Sequence, residues 1–414
     1  MNNIDKILDS IGTRTLFKNK EVLQANYSPG EIPYRDKQIE QVASILAPAL
    51  IGQKTSNLFI YGKTGSGKTL TVQYVQRELE KRVANSKSRN VNIIYLNCKY
   101  KKVADTEYRL LAELIERLGG SVPETGLPTN LVYSRFLKKI EESSHKIHIL
   151  ILDEVDQLVK KISDDFLYNL TRLNSELPKN QIGIVGISND LRFLDDLDPR
   201  VKSSLSEEEI VFPPYDAVQL KEILYKRSEQ AFKEGVVDSG AISKCAAFAA
   251  REHGDARRAL DLLRVAGELA ERAADKKITT KHIDMANEQI ERDKILDVVK
   301  TEPKQFQAVL QALINLEESK DKLKQQKNLV EGEGSKVFTG DVYNVYQAIC
   351  KKISMEVLTQ RRVGDIISEF DMLGLINAQV ISKGRYGRTK EIKLLIPSGI
   401  VDKTKDILRE SLGI

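Results

Sequence analysis

Short apolar runs rich in β-branched residues recur along the first half of the chain. They lie at 57–61, 91–96, 147–152, 182–187 and 209–212. Between them are stretches with helical patterning, for example at 69–84 and 105–118. Strands that alternate with helices predict βαβ units and a parallel sheet. The runs are continuous rather than alternating, as expected for strands that helices cover on both faces.

The strand signals end at Pro213-Pro214, and apolar positions then recur about every 3.6 residues over 216–294. This spacing predicts a small helical domain. Asp255 lies where an N-cap would begin the helix that contains Leu260.

Helices are also predicted in the last third of the chain. Apolar helices at 306–316 and 341–353 flank the charged, glycine-containing stretch 318–336, which we predict to be a loop or a frayed helix end. Thr359 is predicted to cap a further helix that ends near residue 373.

Two strand-like runs follow these helices, at 375–382 and 390–396, and a basic turn joins them. Residues 383–393 contain five basic residues and one acidic residue, a net charge of +4, whereas the whole chain carries +5. One short segment therefore holds most of the excess charge. Three helices followed by a hairpin predict a winged helix.

Composition narrows the class of protein. Of 414 residues, 41% are hydrophobic and 30% charged, which indicates a folded protein of two or three domains. We place the domains at 1–214, 215–296 and 297–414. No apolar stretch approaches the ~18 residues of a membrane helix, so we expect no membrane partner. The three cysteines and four histidines do not cluster, which excludes a disulfide framework and a multi-histidine metal site. We expect a cytoplasmic, nucleoid-associated protein.

A phosphate-binding pattern, G-x-x-x-x-G-K-[ST], is matched by Gly62-Lys63-Thr64-Gly65-Ser66-Gly67-Lys68-Thr69. The motif follows a predicted strand and begins a predicted helix. Its glycines let backbone N–H groups turn toward phosphate oxygens, and the helix N-terminus adds positive partial charge. Lys68 would contact the β- and γ-phosphates, and the Thr69 hydroxyl would bind Mg²⁺. We therefore predict a site for ATP or ADP with Mg²⁺.

Polar residues follow two of the predicted strands. Asp153 and Glu154 come directly after the run at 147–152. Asp153 would hold Mg²⁺ through water, and Glu154 would act as general base on the attacking water. Asn189, after the next strand, would orient that water. Asp156 is predicted to cap the following helix.

These features together resemble an AAA+ ATPase. Gly254-Asp255-Ala256-Arg257-Arg258-Ala259-Leu260 is similar to the G-D-x-R-x-A-L second sensor of replication initiators. Ile32-Pro33-Tyr34-Arg35-Asp36-Lys37-Gln38 resembles the segment that cups adenine in these proteins. With Phe212-Pro213-Pro214-Tyr215 and the winged helix, residues 20 to 400 resemble the archaeal origin-recognition and cell-division-control (Orc/Cdc type) initiator family. The implied fold class is α/β, an AAA+ P-loop ATPase with a parallel sheet, a helical lid domain and a C-terminal winged-helix domain.

The resemblance implies roles for individual residues. Asn189 would be the first sensor and Arg257 the second, with Arg258 as its rival one position along the helix. A neighbouring subunit is expected to supply an arginine finger, for which Arg192 and Arg200 are alternatives. The same segment is where the family inserts a DNA-contacting element, so Arg200 and Lys202 are also predicted to bind DNA. The predicted nucleotide-binding residues are Gly62, Lys63, Thr64, Gly65, Ser66, Gly67, Lys68, Thr69, Leu70, Tyr34, Arg35, Tyr215 and Arg227.

Two basic features predict contact with double-stranded DNA. One is the hairpin turn with Lys383, Arg385, Tyr386 and Arg388, which would enter a minor groove. The other is the first turn of the helix after Thr359, with Gln360, Arg361 and Arg362. Recognition helices use their N-terminal residues for base contacts. Basic residues there oppose the helix dipole, which favours a phosphate partner.

The function we expect is an ATP-dependent replication initiator. It would bind origin DNA through the winged helix and help to load the replicative helicase, with slow or partner-stimulated ATP hydrolysis. It would form homo-oligomers or hetero-oligomers with paralogous initiators. A nucleotide-controlled transcription regulator is the alternative, because it would use the same scaffold. A clamp-loader subunit is disfavoured, since it would end in a helical collar.

Overall fold

A computed structural model describes residues 15–85, 90–99, 106–123, 125–205, 207–327, 336–382 and 388–414. Of residues 320–327, 382, 388 and 398 it describes the backbone alone. The chain divides into two compact units, Met1–Asp284 and Met285–Ile414. No described helix is both long enough and apolar enough to cross a membrane.

The first unit is built on a five-stranded parallel sheet with the order β2-β3-β4-β1-β5. The strands are β1 (Leu58–Gly62), β2 (Val91–Asn97), β3 (Ile147–Asp153), β4 (Gln181–Ser188) and β5 (Glu208–Phe212). Each predicted strand is confirmed, with its limits within one residue. Continuous apolar runs identified these strands because the sheet is covered on both faces.

Seven helices of the described chain accompany this sheet. They are α1 (Asp36–Leu46), α2 (Lys68–Asn85), α3 (Glu107–Arg117), α4 (Thr129–Glu141), α5 (Val155–Ile162), α6 (Asp165–Arg172) and α7 (Pro199–Leu205). The central strand β3 shows how they cover it. Ile149 and Ile151 pack into one buried cluster, and the alternate residues Leu150 and Leu152 pack into another. The sheet therefore lies between two hydrophobic layers, and its strand β1 leads into the phosphate-binding loop.

A helical lid completes the first unit, with α8 (Ala217–Ala231), α9 (Ser239–Arg251) and α10 (Ala256–Arg272). The next helix, α11 (Thr280–Thr301), begins in the first unit and continues into the second. Asp216 begins α8 with a capping box that pairs it with Gln219. Asp255 caps α10, as predicted, by accepting hydrogen bonds from the backbone N–H groups of Arg257 and Arg258. This cap fixes the position at which the lid helix begins.

The second unit has a winged-helix fold. Its elements are α12 (Lys304–Lys327), β6 (Val337–Phe338), α13 (Thr339–Lys352), α14 (Gln360–Met372), β7 (Ile376–Ser382), β8 (Arg388–Leu394) and α15 (Ser398–Leu412). The strands form an antiparallel sheet with the order β6-β8-β7. Thr359 caps α14, as predicted, by accepting from the N–H of Arg362.

Three features of this unit differ from the prediction. Helix α12 continues to Lys327, into the stretch predicted to be a loop or a frayed helix end. Its charged C-terminal half has the composition of a loop, but lysine, glutamate and glutamine are good helix formers. The short strand β6 and the helix α15 were not predicted. Helix α15 buries Ile400, Leu408 and Leu412 in the core of the unit.

Candidate functional site

The phosphate-binding loop adopts a backbone that requires glycine at two positions. Gly65 and Gly67 have φ angles of +72° and +93°, which favour glycine over other residues. A Cβ atom at Gly65 would lie 1.8 Å from Asp255 Oδ1, and one at Gly67 would lie 2.9 Å from the Tyr215 hydroxyl. Both glycines therefore also allow residues of the lid and its connecting segment to approach the loop.

Lys68 is buried at the start of α2 and uses its three N–H donors inside the protein. Its amine donates to the carbonyls of Gly62 (2.8 Å) and Lys63 (2.9 Å) and to Asn189 Oδ1 (2.8 Å). Burial lowers the pKa of Lys68 to about 8, against the opposing influence of Asp153. The predicted sensor Asn189 and the predicted phosphate ligand Lys68 are thus in direct contact.

Asp153, at the end of β3, is surrounded by hydrogen-bond donors. Its Oδ2 accepts from the Thr69 hydroxyl (3.0 Å) and the Tyr95 hydroxyl (2.6 Å), and its Oδ1 accepts from the Glu154 N–H (3.0 Å). Burial and the Asp153 carboxylate raise the pKa of Tyr95. Hydroxyl and carboxylate oxygens are ligands that suit Mg²⁺. The described residues contain no group of three or more His, Cys, Asp or Glu that would hold a metal.

Glu154 adopts a left-handed backbone, with φ of +55°, immediately before α5. Such a conformation is strained for glutamate and recurs at functional sites. The Glu154 carboxylate lies 3.8 Å from the amine of Lys99. The prediction that Asp156 caps α5 is wrong, because its buried carboxylate instead accepts from the Ser188 hydroxyl (3.0 Å). Asp156 thereby ties α5 to the end of β4, next to Asn189.

The lid places its first turn against the phosphate-binding loop. The N–H of Ala256 donates to the carbonyl of Gly65 at 3.3 Å. Arg257 lines the cavity beside the loop, and its charge acts to lower the pKa of Lys68. Arg258, by contrast, is largely buried, and its Nε lies 3.2 Å from a Glu252 carboxylate oxygen. The geometry therefore distinguishes the two arginines that the sequence left as rivals.

Many of these groups line one cavity of about 750 Å³, a volume typical of ligand sites. Predicted site residues that line it are Gly65, Gly67, Lys68, Thr69, Leu70, Asp153, Glu154, Asn189, Tyr215, Arg227 and Arg257. Residues 24–33 and the lid residues Ile223 and Leu260 also line it. Among the predicted residues, Gly62, Lys63, Thr64, Ser66, Tyr34 and Arg35 do not line it.

Arg227 also lines the cavity and carries a hydrogen-bond donor suited to a ligand. Its guanidinium lies 4.7 Å from the centre of the Tyr27 ring. Its Nη1 is buried and has no hydrogen-bond acceptor among the described residues. A buried donor without an acceptor is costly, and a bound nucleotide would supply one. Tyr27 was not predicted, because a tyrosine in an irregular segment carries no pattern of its own.

Arg35 has a different position from the one expected. It is 2% exposed and donates to the carbonyls of Ser66 (2.8 Å) and Pro213 (2.6 Å). Its guanidinium lies 3.8 Å from the centre of the Tyr215 ring. Arg35 therefore holds the phosphate-binding loop through the Ser66 carbonyl and does not line the cavity. The Tyr34 hydroxyl is likewise directed away and hydrogen-bonds to Glu222.

The three basic residues near α7 are exposed or half-buried, and two of them have acidic partners within the unit. The guanidinium of Arg200 donates twice to Asp198, both at 3.0 Å, and Lys202 lies 3.1 Å from Asp195. Arg192 is exposed beside them. These ion pairs reduce the positive charge that the segment presents to DNA or to a neighbouring subunit.

In the second unit, Gln360, Arg361 and Arg362 are exposed in the first turn of α14. Arg388 pairs through its backbone with Ser382 at the tip of the β7–β8 hairpin. Lys383, Arg385 and Tyr386 lie outside the described residues. Lys390, which the DNA-binding prediction did not include, donates to the Gly364 carbonyl at 3.1 Å and so joins the hairpin to α14.

Three family models match the chain. They are an AAA domain over residues 52–187, a Cdc6 AAA+ ATPase-type lid domain over 221–288 and a CDC6 C-terminal winged helix domain over 297–404. Together with the sheet, the lid and the wing, they define an AAA+ protein with a helical lid and a winged helix.

The particular family follows from full-length relatives. The chain is 52% identical over 399 residues to an ORC1-type DNA replication protein of Thermococcus onnurineus. The aligned residues cover 94% of this chain and 92% of the relative. It is 49% identical over 416 residues to the ORC1-type DNA replication protein of Pyrococcus furiosus, with 99% and 94% covered. The solved structure of the Aeropyrum pernix ORC1 protein in complex with DNA has 42% identity, a TM-score of 0.81 and coverage of 95% and 97%. The chain belongs to the ORC1-type DNA replication protein family.

Proposed function

We propose that this protein is an ATP-dependent replication initiator that binds origin DNA through its winged helix and helps to load the replicative helicase. The observation that carries the nucleotide part is the convergence of Lys68, Thr69, Asp153, Asn189 and Arg257 on one cavity. The DNA part is supported by the exposed first turn of α14 and by the relative whose structure contains DNA. The domain limits 1–214, 215–296 and 297–414 are part of this proposal.

The residues suggest how ATP would be held. Lys68 would exchange its carbonyl and Asn189 partners for phosphate oxygens. Burial destabilises the charged amine, and the negative phosphate oxygens would stabilise it. Thr69 and Asp153 would hold Mg²⁺, which when bound would neutralise charge on the β- and γ-phosphates. Arg257 would reach the γ-phosphate from the lid.

Hydrolysis would depend on Glu154. Its carboxylate would accept a proton from water as the water oxygen bonds to the γ-phosphorus and the bond to ADP breaks. Asn189 would orient that water. Hydrolysis would be slow or partner-stimulated.

Two lysines of one loop test the nucleotide site. Lys68→Ala is expected to abolish ATP binding in calorimetry, because the triphosphate loses a buried charged partner. Lys63→Ala is the matched control, since the Lys63 side chain is exposed and does not line the cavity. Unchanged ATP retention by Lys68→Ala would refute the site.

Chromosomal mapping separates initiation from transcriptional control. A few binding sites close to replication origins are expected for an initiator. Many promoter sites, with none near an origin, would favour the transcription regulator instead.

A further inference from the structure

The segment that precedes α1 connects the lid to the core across the nucleotide cavity. We call residues 15–35 the strap segment. Its first part contacts the lid, its middle part (24–33) lines the cavity, and Arg35 at its end supports the phosphate-binding loop. Any ligand in the cavity would therefore lie beneath a segment that is fastened at both ends.

The contact with the lid is extensive. Phe17 pairs with Phe232 in an antiparallel bridge, and their ring centres lie 4.5 Å apart. Backbone hydrogen bonds on either side join Lys18 to Ala231 (2.7 Å) and Lys233 to Leu16 (3.0 Å). An isolated antiparallel bridge thus holds the strap segment beside the residues that end α8.

Helix α10 provides the surface under this pair. Gly267 lets the two rings approach, because a Cβ there would lie 2.6 Å from the Phe17 ring and 2.8 Å from the Phe232 ring. The Leu16 N–H donates to Glu271 (2.7 Å), and the amine of Lys20 lies 2.6 Å from Glu268. A glycine at this position in a helix costs stability, so its presence here is consistent with the need for this contact.

The middle of the strap segment is also held from both sides of the cavity. Arg77 of α2 donates to the Ser28 hydroxyl at 2.5 Å. Arg227 of α8 lies over the Tyr27 ring. Residues 24–33 have no helix or strand of their own, so these contacts, together with the burial of Ile32, hold them beside the cavity.

We propose that Phe17 is a positioning residue for nucleotide retention: its packing on Gly267 and Phe232 keeps residues 24–33 against the cavity, where they would contact the nucleotide base. This rests on the proposed function, because it presupposes ATP in the cavity. Release of a nucleotide requires those residues to move aside, and a local opening becomes more frequent when its attachment is weakened. The phosphate end, which the loop itself forms, should not respond.

The test compares nucleotide with inorganic tripolyphosphate, which has the phosphates but no base. Release of a ribose-labelled fluorescent ATP is followed in the full-length protein after a chase with ATP, and tripolyphosphate affinity is measured by calorimetry. Phe17→Ala is expected to accelerate release about tenfold, equivalent to about 1.4 kcal/mol, with tripolyphosphate affinity unchanged. Phe17→Leu should restore most of the retention. Lys18→Ala is the control, because it leaves the backbone hydrogen bond intact.

Gly267→Ala provides a second variant from the opposite side of the contact, since the new methyl group displaces the Phe17 ring. It should accelerate release in the same way. Unchanged release in both variants would overturn the inference, and so would an equal loss of tripolyphosphate and nucleotide affinity. A wild-type protein that binds neither ligand would instead overturn the proposed function, and the inference with it.

Discussion

The two adjacent arginines of the lid allow a sharp test of how the protein distinguishes ATP from ADP. Arg257 lines the cavity, whereas Arg258 is paired with Glu252. Both lie in the first turn of α10, which Asp255 caps through their backbone N–H groups. Replacement by alanine leaves that cap in place, so neither variant removes the hydrogen bonds that begin the helix.

The expected magnitude follows from the surroundings of Arg257. A hydrogen bond to a charged group contributes about 1.5–3 kcal/mol, which is about 10- to 150-fold in affinity. Arg257 is exposed, and salt screens exposed charges. We therefore expect Arg257→Ala to weaken ATP binding by about tenfold at physiological salt, near the lower limit of that range. ADP lacks the γ-phosphate, so its affinity should change by less than about twofold.

Calorimetric titration of each variant with ATP and with ADP measures these differences directly. Arg258→Ala should leave the preference for ATP over ADP intact, even if the loss of its pair with Glu252 lowers the stability of the lid. If Arg257→Ala weakens both nucleotides equally, or if Arg258→Ala has the larger effect on ATP, the assignment of the γ-phosphate contact is refuted.

Four further outcomes are expected. Glu154→Gln should retain ATP and lose its hydrolysis, and equal turnover in variant and wild type would remove Glu154 as the base. ATP affinity should fall above about pH 8, because burial lowers the pKa of Lys68 to about 8 and bound phosphate favours its charged form. Affinity that does not change between pH 8 and pH 10 would contradict this. Arg361→Ala with Arg362→Ala should reduce the slope of log affinity against log salt by about 1.8 for duplex DNA, and an unchanged slope would remove this turn from the DNA interface. Burial lowers the pKa of His148 to about 4, so the unfolded state takes up a proton at higher pH than the folded state does. The free energy of unfolding should therefore fall by up to about 3 kcal/mol as pH drops from 6.5 to 4. Acid unfolding followed by circular dichroism should show a smaller fall in this free energy for His148→Leu.

Several parts of the fold follow directly from local sequence. The five parallel strands are buried on both faces, so each reads as an uninterrupted apolar run between helical stretches. The polar residues Asp153 and Asn189 end neighbouring strands, and parallel strands bring such ends to the same edge of a sheet. Thr69 and Asp153 are 84 residues apart along the chain, yet the phosphate-binding motif and the strand pattern predict their proximity.

Other features depend on tertiary contacts that have no local pattern. Arg35 belongs to a recognisable segment, but the positive φ of Tyr34 (+62°) directs the chain so that Arg35 reaches the back of the loop. Asp156 resembles a helix cap in sequence, and only the packing of α5 against β4 brings it to Ser188. The attachment of Phe17 to Phe232 joins residues more than 200 positions apart in a segment without periodicity.

A footprint on chromosomal DNA of the source organism, with and without ATP at one fixed salt concentration, tests the central claim most directly. The account predicts protection of a small number of sites that is strengthened by ATP in the wild type and indifferent to ATP in Lys68→Ala. Protection that is the same with and without nucleotide in the wild type, or no protected site at any nucleotide concentration, would contradict it.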